Sequence, residues 1–390
     1  MAAKKNDKPL APETLCVHAG GHPDSAWHSL STPIYMTSTF RLEDSGLKGK
    51  YFYTRMSNPT RTALEDTLAA IEGGARAVAT GAGVAAEATV MHLFATGTHV
   101  VSGNDIYGGT HHLFVKHMAP MGFSFTFVDM RDPKNVERAI KPETKLIWIE
   151  TPSNPLLNLV DIAAVAAVAR KRGILTVVDS TFASPVFQQP LALGADISLH
   201  STTKYLNGHS DVVGGAVIAK TKELGERLAG TAASLGTTCS PFDAFLVLRG
   251  VKTLPIRMRA HAAGAMALAR FLEKRRDVER VYFPGLESHP QHALARRQMT
   301  GFGGMLSFDL KGGQAAVFAL FRKLQLFQPA ASLGGVESLI EHPATLSHAP
   351  MTPAERAEAG ISDGCVRVSV GIENPDDLIR DMEQALDAVR

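Results

Sequence analysis

Between Asn58 and Pro255 the chain alternates short apolar runs with amphipathic stretches, and this rhythm limits the possible folds more than any other feature. Strands are expected at 75–79, 98–102, 123–129, 145–150, 174–179, 197–200 and 214–219, with helices such as 84–94, 133–140 and 162–171 between them. A strand that recurs after each helix needs a crossover, and crossovers of this kind make neighbouring strands parallel. The reading is an α/β chain with a mainly parallel seven-stranded sheet flanked by helices, which would take its ligand beyond the strands' carboxyl ends.

Two further units flank that body. Residues 1–57 read as an irregular arm, with prolines at 9, 12, 23 and 33 and little periodicity. From 257 the pattern changes to a long alanine-rich helix reaching about 274, then strands at 278–283, 304–309 and 365–369, with helices near 313–323 and 375–389. The expected units are therefore an arm over 1–57, a large domain over 58–256 and a smaller α+β domain over 257–390.

Bulk composition narrows the function classes. Of 390 residues 45% are hydrophobic and 20% charged, enough for a large core. Forty basic against 38 acidic side chains give a formal charge of +2, which supplies no field for nucleic acid or an anionic membrane. No apolar run reaches the roughly 20 residues of a membrane helix. Cys16, Cys239 and Cys365 are odd in number and far apart, which suits a reduced cytoplasm rather than a disulfide framework. His111-His112 and His289-Pro290-Gln291-His292 lack helical ligand spacing, so no metal is expected. A small molecule is the expected partner.

The candidate chemistry centres on Lys204. Lys204 lies in His200-Ser201-Thr202-Thr203-Lys204-Tyr205-Leu206-Asn207-Gly208, downstream of Asp179, which ends the apolar run Val177-Val178. An amine among hydroxyls and a carboxylate at a strand end are what pyridoxal phosphate needs, one for the Schiff base and one for the pyridine nitrogen. The competing readings are a solvated surface lysine and a helix-capping or turn aspartate. Thr80-Gly81-Ala82-Gly83-Val84 turns from a strand into a helix whose start is suited to phosphate, although a tight turn without ligand has the same pattern. Tyr53 and Arg55 share one side of an extended stretch and form a second phosphate grip or an exposed cation–π pair. Tyr107, after another strand, is a ring-stacking and proton-transferring phenol or a core tyrosine. Arg367, inside the apolar run Val366-Arg367-Val368, calls for an anion, either a substrate carboxylate or an internal partner.

Taken with Glu150-Thr151-Pro152-Ser153-Asn154-Pro155, Gln189-Pro190-Leu191-Ala192-Leu193-Gly194-Ala195-Asp196 and Ser332-Leu333-Gly334-Gly335-Val336-Glu337-Ser338, these runs resemble the fold-type I pyridoxal-phosphate enzymes of cysteine and methionine metabolism. That family includes cystathionine γ-synthases, cystathionine β- and γ-lyases, methionine γ-lyases and homoserine-ester sulfhydrylases. The likeness runs from about residue 14 to 390. It implies that Lys204 forms the Schiff base, Asp179 meets the pyridine nitrogen and Tyr107 stacks on the ring. It further implies that Gly83, Val84, Ser201 and Thr203 bind the phosphate, with Tyr53 and Arg55 arriving from a neighbouring subunit of a homotetramer built from dimers. Thr181 and Asn154 would lie by the ring, and Arg367, Ser332 and Asn154 would hold the substrate carboxylate.

Departures from the family pattern bear on specificity. Ala82 and Ser180 replace a usual serine and asparagine. His112 stands where an arginine often follows the stacking tyrosine, Ala331 where a glutamate is expected, and Gly109 where methionine γ-lyases commonly carry cysteine. The resemblance therefore implies a lyase that eliminates the γ- or β-substituent of a methionine-, cystathionine- or homoserine-derived amino acid, with His112 at the distal end. The alternatives are γ-replacement and a pyridoxal-phosphate-binding protein without turnover.

Overall fold

The computed structural model describes residues 9–21, 24, 28–42 and 49–389. Most of the polar start and Pro23 lie outside the described residues. Seven strands, β1 (Arg76–Thr80), β2 (His99–Gly103), β3 (Ser124–Val128), β4 (Thr144–Glu150), β5 (Leu175–Asp179), β6 (Ile197–His200) and β7 (Gly215–Ala219), form one sheet in the order β1-β7-β6-β5-β4-β2-β3. From β6 through β5, β4 and β2 to β3 every pairing is parallel, whereas β7 runs antiparallel to both β6 and β1. The α/β class is thus the one expected.

Composition explains these strands. The central ones are buried on both faces, as a sheet covered by helices requires, so they read as continuous apolar runs. On one face Val100, Leu146, Trp148, Val177 and Leu199 meet the helix Gly83–Met91 and neighbouring helices. On the other, Ile147, Ile149 and Val178 pack on the helix Ile162–Arg170. That second helix starts at Asp161, whose side chain accepts from the Ala164 N–H.

A second sheet follows, β8 (Val278–Tyr282), β9 (Met305–Leu310), β10 (Gln328–Pro329), β11 (Leu339–Glu341) and β12 (Cys365–Ser369), in the order β10-β11-β12-β9-β8. Its core joins the helices Leu254–Leu272 and Pro375–Asp387. β10 and β11 carry too few residues to show a period and were not expected. Nor was the helix Pro12–His18 in the arm, which buries Cys16 against the helices Pro59–Glu72 and Leu254–Leu272.

Arg257, four residues into the helix Leu254–Leu272, ties the segment after Lys204 to the body. Its guanidinium donates to the carbonyls of Tyr205 at 2.7 Å, Gly250 at 2.8 Å and Leu206 at 3.4 Å. Gly208 passes so close, at φ +73°, that a Cβ there would lie 2.0 Å from Arg257 Nη1. Burial pushes the guanidinium down to about 10, which leaves it charged at neutral pH. Arg257→Met removes the donors and strands buried carbonyls, so it should cost about 3 kcal/mol. The urea midpoint measures this, and an unchanged midpoint would contradict the role given to Arg257.

Candidate active site

Because the parallel strands share one direction, the segments leaving β1, β2, β4, β5 and β6 meet along a single edge. There they line a cavity of about 690 Å³ with parts of the second sheet.

The β1 exit, Gly81-Ala82, opens the helix Gly83–Met91. Ala82 caps that helix with extended backbone and no side-chain acceptor, which leaves its first-turn N–H groups aimed outward without a cap. Gly83 lies against the β6 exit: a Cβ on it would stand 3.0 Å from Ser201 Cβ. Ser201 N donates to Thr181 Oγ1 at 2.9 Å, while Thr203 Oγ1 donates to the Gly214 carbonyl at 3.1 Å and accepts from Gly214 N at 3.0 Å.

Two carboxylates end adjacent strands. Asp179 closes β5 and accepts from Thr181 N at 2.9 Å, and Glu150 closes β4 and accepts from the N–H groups of Tyr107 at 2.8 Å and Asn154 at 2.9 Å. Burial pushes both carboxyls up, and the charge of Asp179 pushes Glu150 further. Behind Asp179, His200 pairs with Glu72, both fully buried.

Lys204 reaches across the cavity to Ser332, its Nζ donating to Ser332 Oγ at 2.6 Å. Desolvation, aided by the Arg367 charge, pushes its amine down to about 8. Ser332 sits at φ +89°, a left-handed conformation costly for a residue with a Cβ and held by its contacts to Lys204 and Arg367.

Arg367 comes from β12 and is 3% exposed. Its guanidinium donates to Asn154 Oδ1 at 3.0 Å and to the Ser332 carbonyl at 2.9 Å. Glu341 Oε2 on β11 lies 3.0 Å from Arg367 Nη2, yet it accepts no aligned hydrogen bond, so the pair is held by charge rather than by a bidentate fork. Tyr107 is 40% exposed and its phenol is pushed up by burial, with Glu87 next. The ring has room because residue 109 is glycine: a Cβ there would meet Tyr107 Cε1 at 2.3 Å.

Gly83, Val84, Tyr107, His112, Asn154, Asp179, Thr181, Ser201, Thr203, Lys204, Ser332 and Arg367 all line this one cavity. Tyr53 and Arg55 do not. Arg55 stacks over the half-exposed Tyr53 ring at 5.6 Å and donates to the Ala233 carbonyl instead. His112 packs on the His117 ring, with centroids 5.4 Å apart. Sequence reasoning missed Glu87, Glu150 and Glu341 as members of the wall. Glu150 was detectable, since it ends a strand on the ligand side, and Glu87 is the one charged residue in an apolar helix. Glu341 offered no signal, because its strand has three residues. Among the described residues no group of three or more His, Cys, Asp or Glu side chains is placed to hold a metal, and no helix is long and apolar enough to cross a membrane.

Known proteins resemble this chain over nearly its whole length. A cystathionine β-lyase of Coxiella burnetii is 48% identical over 99% of this chain and 100% of its own length. A cystathionine γ-lyase of Bacillus subtilis is 48% identical over 97% of this chain and 99% of its own. The crystal structure of a cystathionine γ-synthase from Xanthomonas oryzae pv. oryzae in complex with cystathionine superposes with a TM-score of 0.96 at 48% identity, covering 98% of this chain and 99% of that one. With residues 13–387 matching the family model as well, the chain belongs to the Cys/Met metabolism PLP-dependent enzymes.

Proposed function

We propose that this enzyme is a lyase that removes the γ- or β-substituent of a methionine-, cystathionine- or homoserine-derived amino acid, using pyridoxal phosphate held in the cavity above. The observation that carries the reading is Lys204: an amine lowered to about 8, in one cavity with Asp179 and Arg367. The residues suit the cofactor. An uncapped helix start, a close Gly83 approach and the hydroxyls of Ser201 and Thr203 make a phosphate cradle. Asp179, buried at the end of β5, calls for a cationic partner such as a protonated pyridine nitrogen. In this reading Gly83, Val84, Ser201 and Thr203 hold the phosphate, Tyr107 covers the ring, and Asn154 and Thr181 flank it. Tyr53 and Arg55 serve the cavity of a second copy, so the site needs at least a dimer, and the working unit is a homotetramer built from dimers with shared sites. Three free, buried cysteines suit a reduced cytoplasm.

Bound pyridoxal phosphate supplies an aldehyde that condenses with amines and a protonated ring that draws electrons from the substrate's α-carbon. The protein does the rest. Arg367, with Asn154 and Ser332, grips the substrate carboxylate through its planar donors. Lys204 Nζ accepts the α-proton and, once it has passed that proton on, shuttles protons at the β-carbon, where a C–H bond must break before a γ-substituent can leave. The Tyr107 phenol, kept protonated by burial, gives its proton to the departing atom. His112, Val213, Ala331, Leu346 and Pro350 complete the wall without a fixed charge, and this favours elimination over recognition of a second charged amino-acid end. The second reading, γ-replacement by a thiol, uses the same residues until a nucleophile enters.

Incubating the enzyme with a panel of γ- and β-substituted amino acids, with and without cysteine or sulfide, separates the two. Release of a 2-oxo acid is expected, and thioether formation without it would overturn the lyase reading. Arg367→Gln should raise KM at least tenfold with a smaller effect on kcat, because a charge-assisted fork is worth about 1.5–3 kcal/mol. For Lys204 the sign follows from its lowered value: the amine is mostly protonated below pH 8 and mostly neutral above it. Reductive alkylation of the apoprotein at this residue should therefore rise from pH 7 to 9 and then level, as peptide mapping reports. A rise continuing past pH 10 would contradict the depressed amine.

A further inference from the structure

Glu87 is a carboxyl in the wrong company. It is the one charged residue of the helix Gly83–Met91, 3% exposed, and it lines the cavity one turn below the helix start. One oxygen is used: Thr110 Oγ1 donates to Oε1 at 2.9 Å. The other, Oε2, is buried and has no hydrogen-bond partner. No cation pairs with it: Lys204 and Arg367 line the same cavity but neither bonds to Glu87, and the carboxyl of Glu150 faces the cavity as well. Asp179 at the end of β5 repels it, and Tyr107, ahead of Thr110, presents a phenol. The helix that carries it packs its apolar residues Ala86 and Val90 into the core that holds Leu199 of β6 and Val217 of β7, and Leu199 lines the cavity beside Glu87.

A carboxyl so placed keeps its proton, because burial and the Asp179 charge both oppose ionisation and push it up to about 8. The proton's position follows from the hydrogen bonds. Oε1 already accepts from Thr110 and acts as the carbonyl oxygen, so the O–H lies on Oε2. A buried donor without an acceptor is rare in native proteins and points to an absent partner.

Resting on the cofactor reading above, we propose that Glu87 is an additional cofactor-contacting residue, a neutral carboxyl that donates its proton from Oε2 to pyridoxal phosphate bound in this cavity. It complements Asp179: Asp179 accepts from the cofactor and Glu87 donates to it, and ionisation of Glu87 is opposed by the Asp179 carboxylate.

The test uses dissociation constants of pyridoxal phosphate for the reconstituted full-length wild type, Glu87→Gln and Glu87→Leu, at pH 7 and pH 9. Glutamine keeps an acceptor for Thr110 and a donor for the cofactor at every pH. At pH 7 the glutamine variant should bind within about twofold of wild type and the leucine variant about tenfold more weakly. At pH 9, with most Glu87 ionised, wild type should weaken about tenfold relative to the glutamine variant. A merely structural Glu87–Thr110 tie would leave that ratio flat across pH, and a flat ratio overturns the proposal, as does a leucine variant that binds like wild type. Should the leucine variant fail to fold, the pH ratio decides alone. A wild type that takes up no cofactor overturns the cofactor reading, and this inference with it.

Discussion

The desolvated carboxylates at the carboxyl edge of the parallel sheet are the constraint on which the rest of the site depends. Strands that share a direction deliver their exits to one edge, and here two adjacent exits end in Asp179 and Glu150. Water cannot solvate them fully, so the fold must provide donors and cations nearby. Backbone N–H groups of Tyr107, Asn154 and Thr181 meet part of this need. Those same bonds fix where Tyr107 and Asn154 stand, so the electrostatics of the sheet edge and the positions of the reactive side chains have one cause.

The cations come from two directions. Lys204 follows β6 and is held by the loop that Arg257 clamps to the body. Arg367 arrives from the second sheet, where β12 is sandwiched between β9 and β11 and Glu341 stands beside it in register. The result is acidic groups on one side of the cavity, Asp179 and Glu150, and basic groups on the other, Lys204 and Arg367, with Ser332 bridging the two basic ones. An amine near Arg367 and out of water loses its proton readily, and a phenol in the same place keeps its own. Base and acid thus differ through the charge type of each group, in one shared environment.

Much of this was legible in the chain. All seven strands of the large sheet were expected within a residue or two, because strands buried on both faces must be apolar throughout, and Asp179 and Lys204 interrupt that pattern where a ligand would sit. The resemblance to a known family then named the remaining groups. What escaped was short or dependent on distant partners. β11 has three residues and exists because β12 pairs with it; Glu341 came into the site with it. Glu87 looked like an isolated polar residue on a helix, and its meaning depends on Thr110 and Asp179 arriving from two other segments.

Local sequence, then, determined the strands of the large sheet and their order along the chain, and it marked Lys204, Tyr107 and Arg367 as candidates, because apolar periodicity and glycine turns act over a few residues. Tertiary structure alone decided which carboxyls keep their protons, how far the lysine amine is lowered, and that Tyr53 and Arg55 lie apart from the chain's own cavity. Those properties arise from burial and from charges that separate segments of the chain bring together, Glu87 with Asp179 and Lys204 with Arg367 among them, and no short window of sequence contains them.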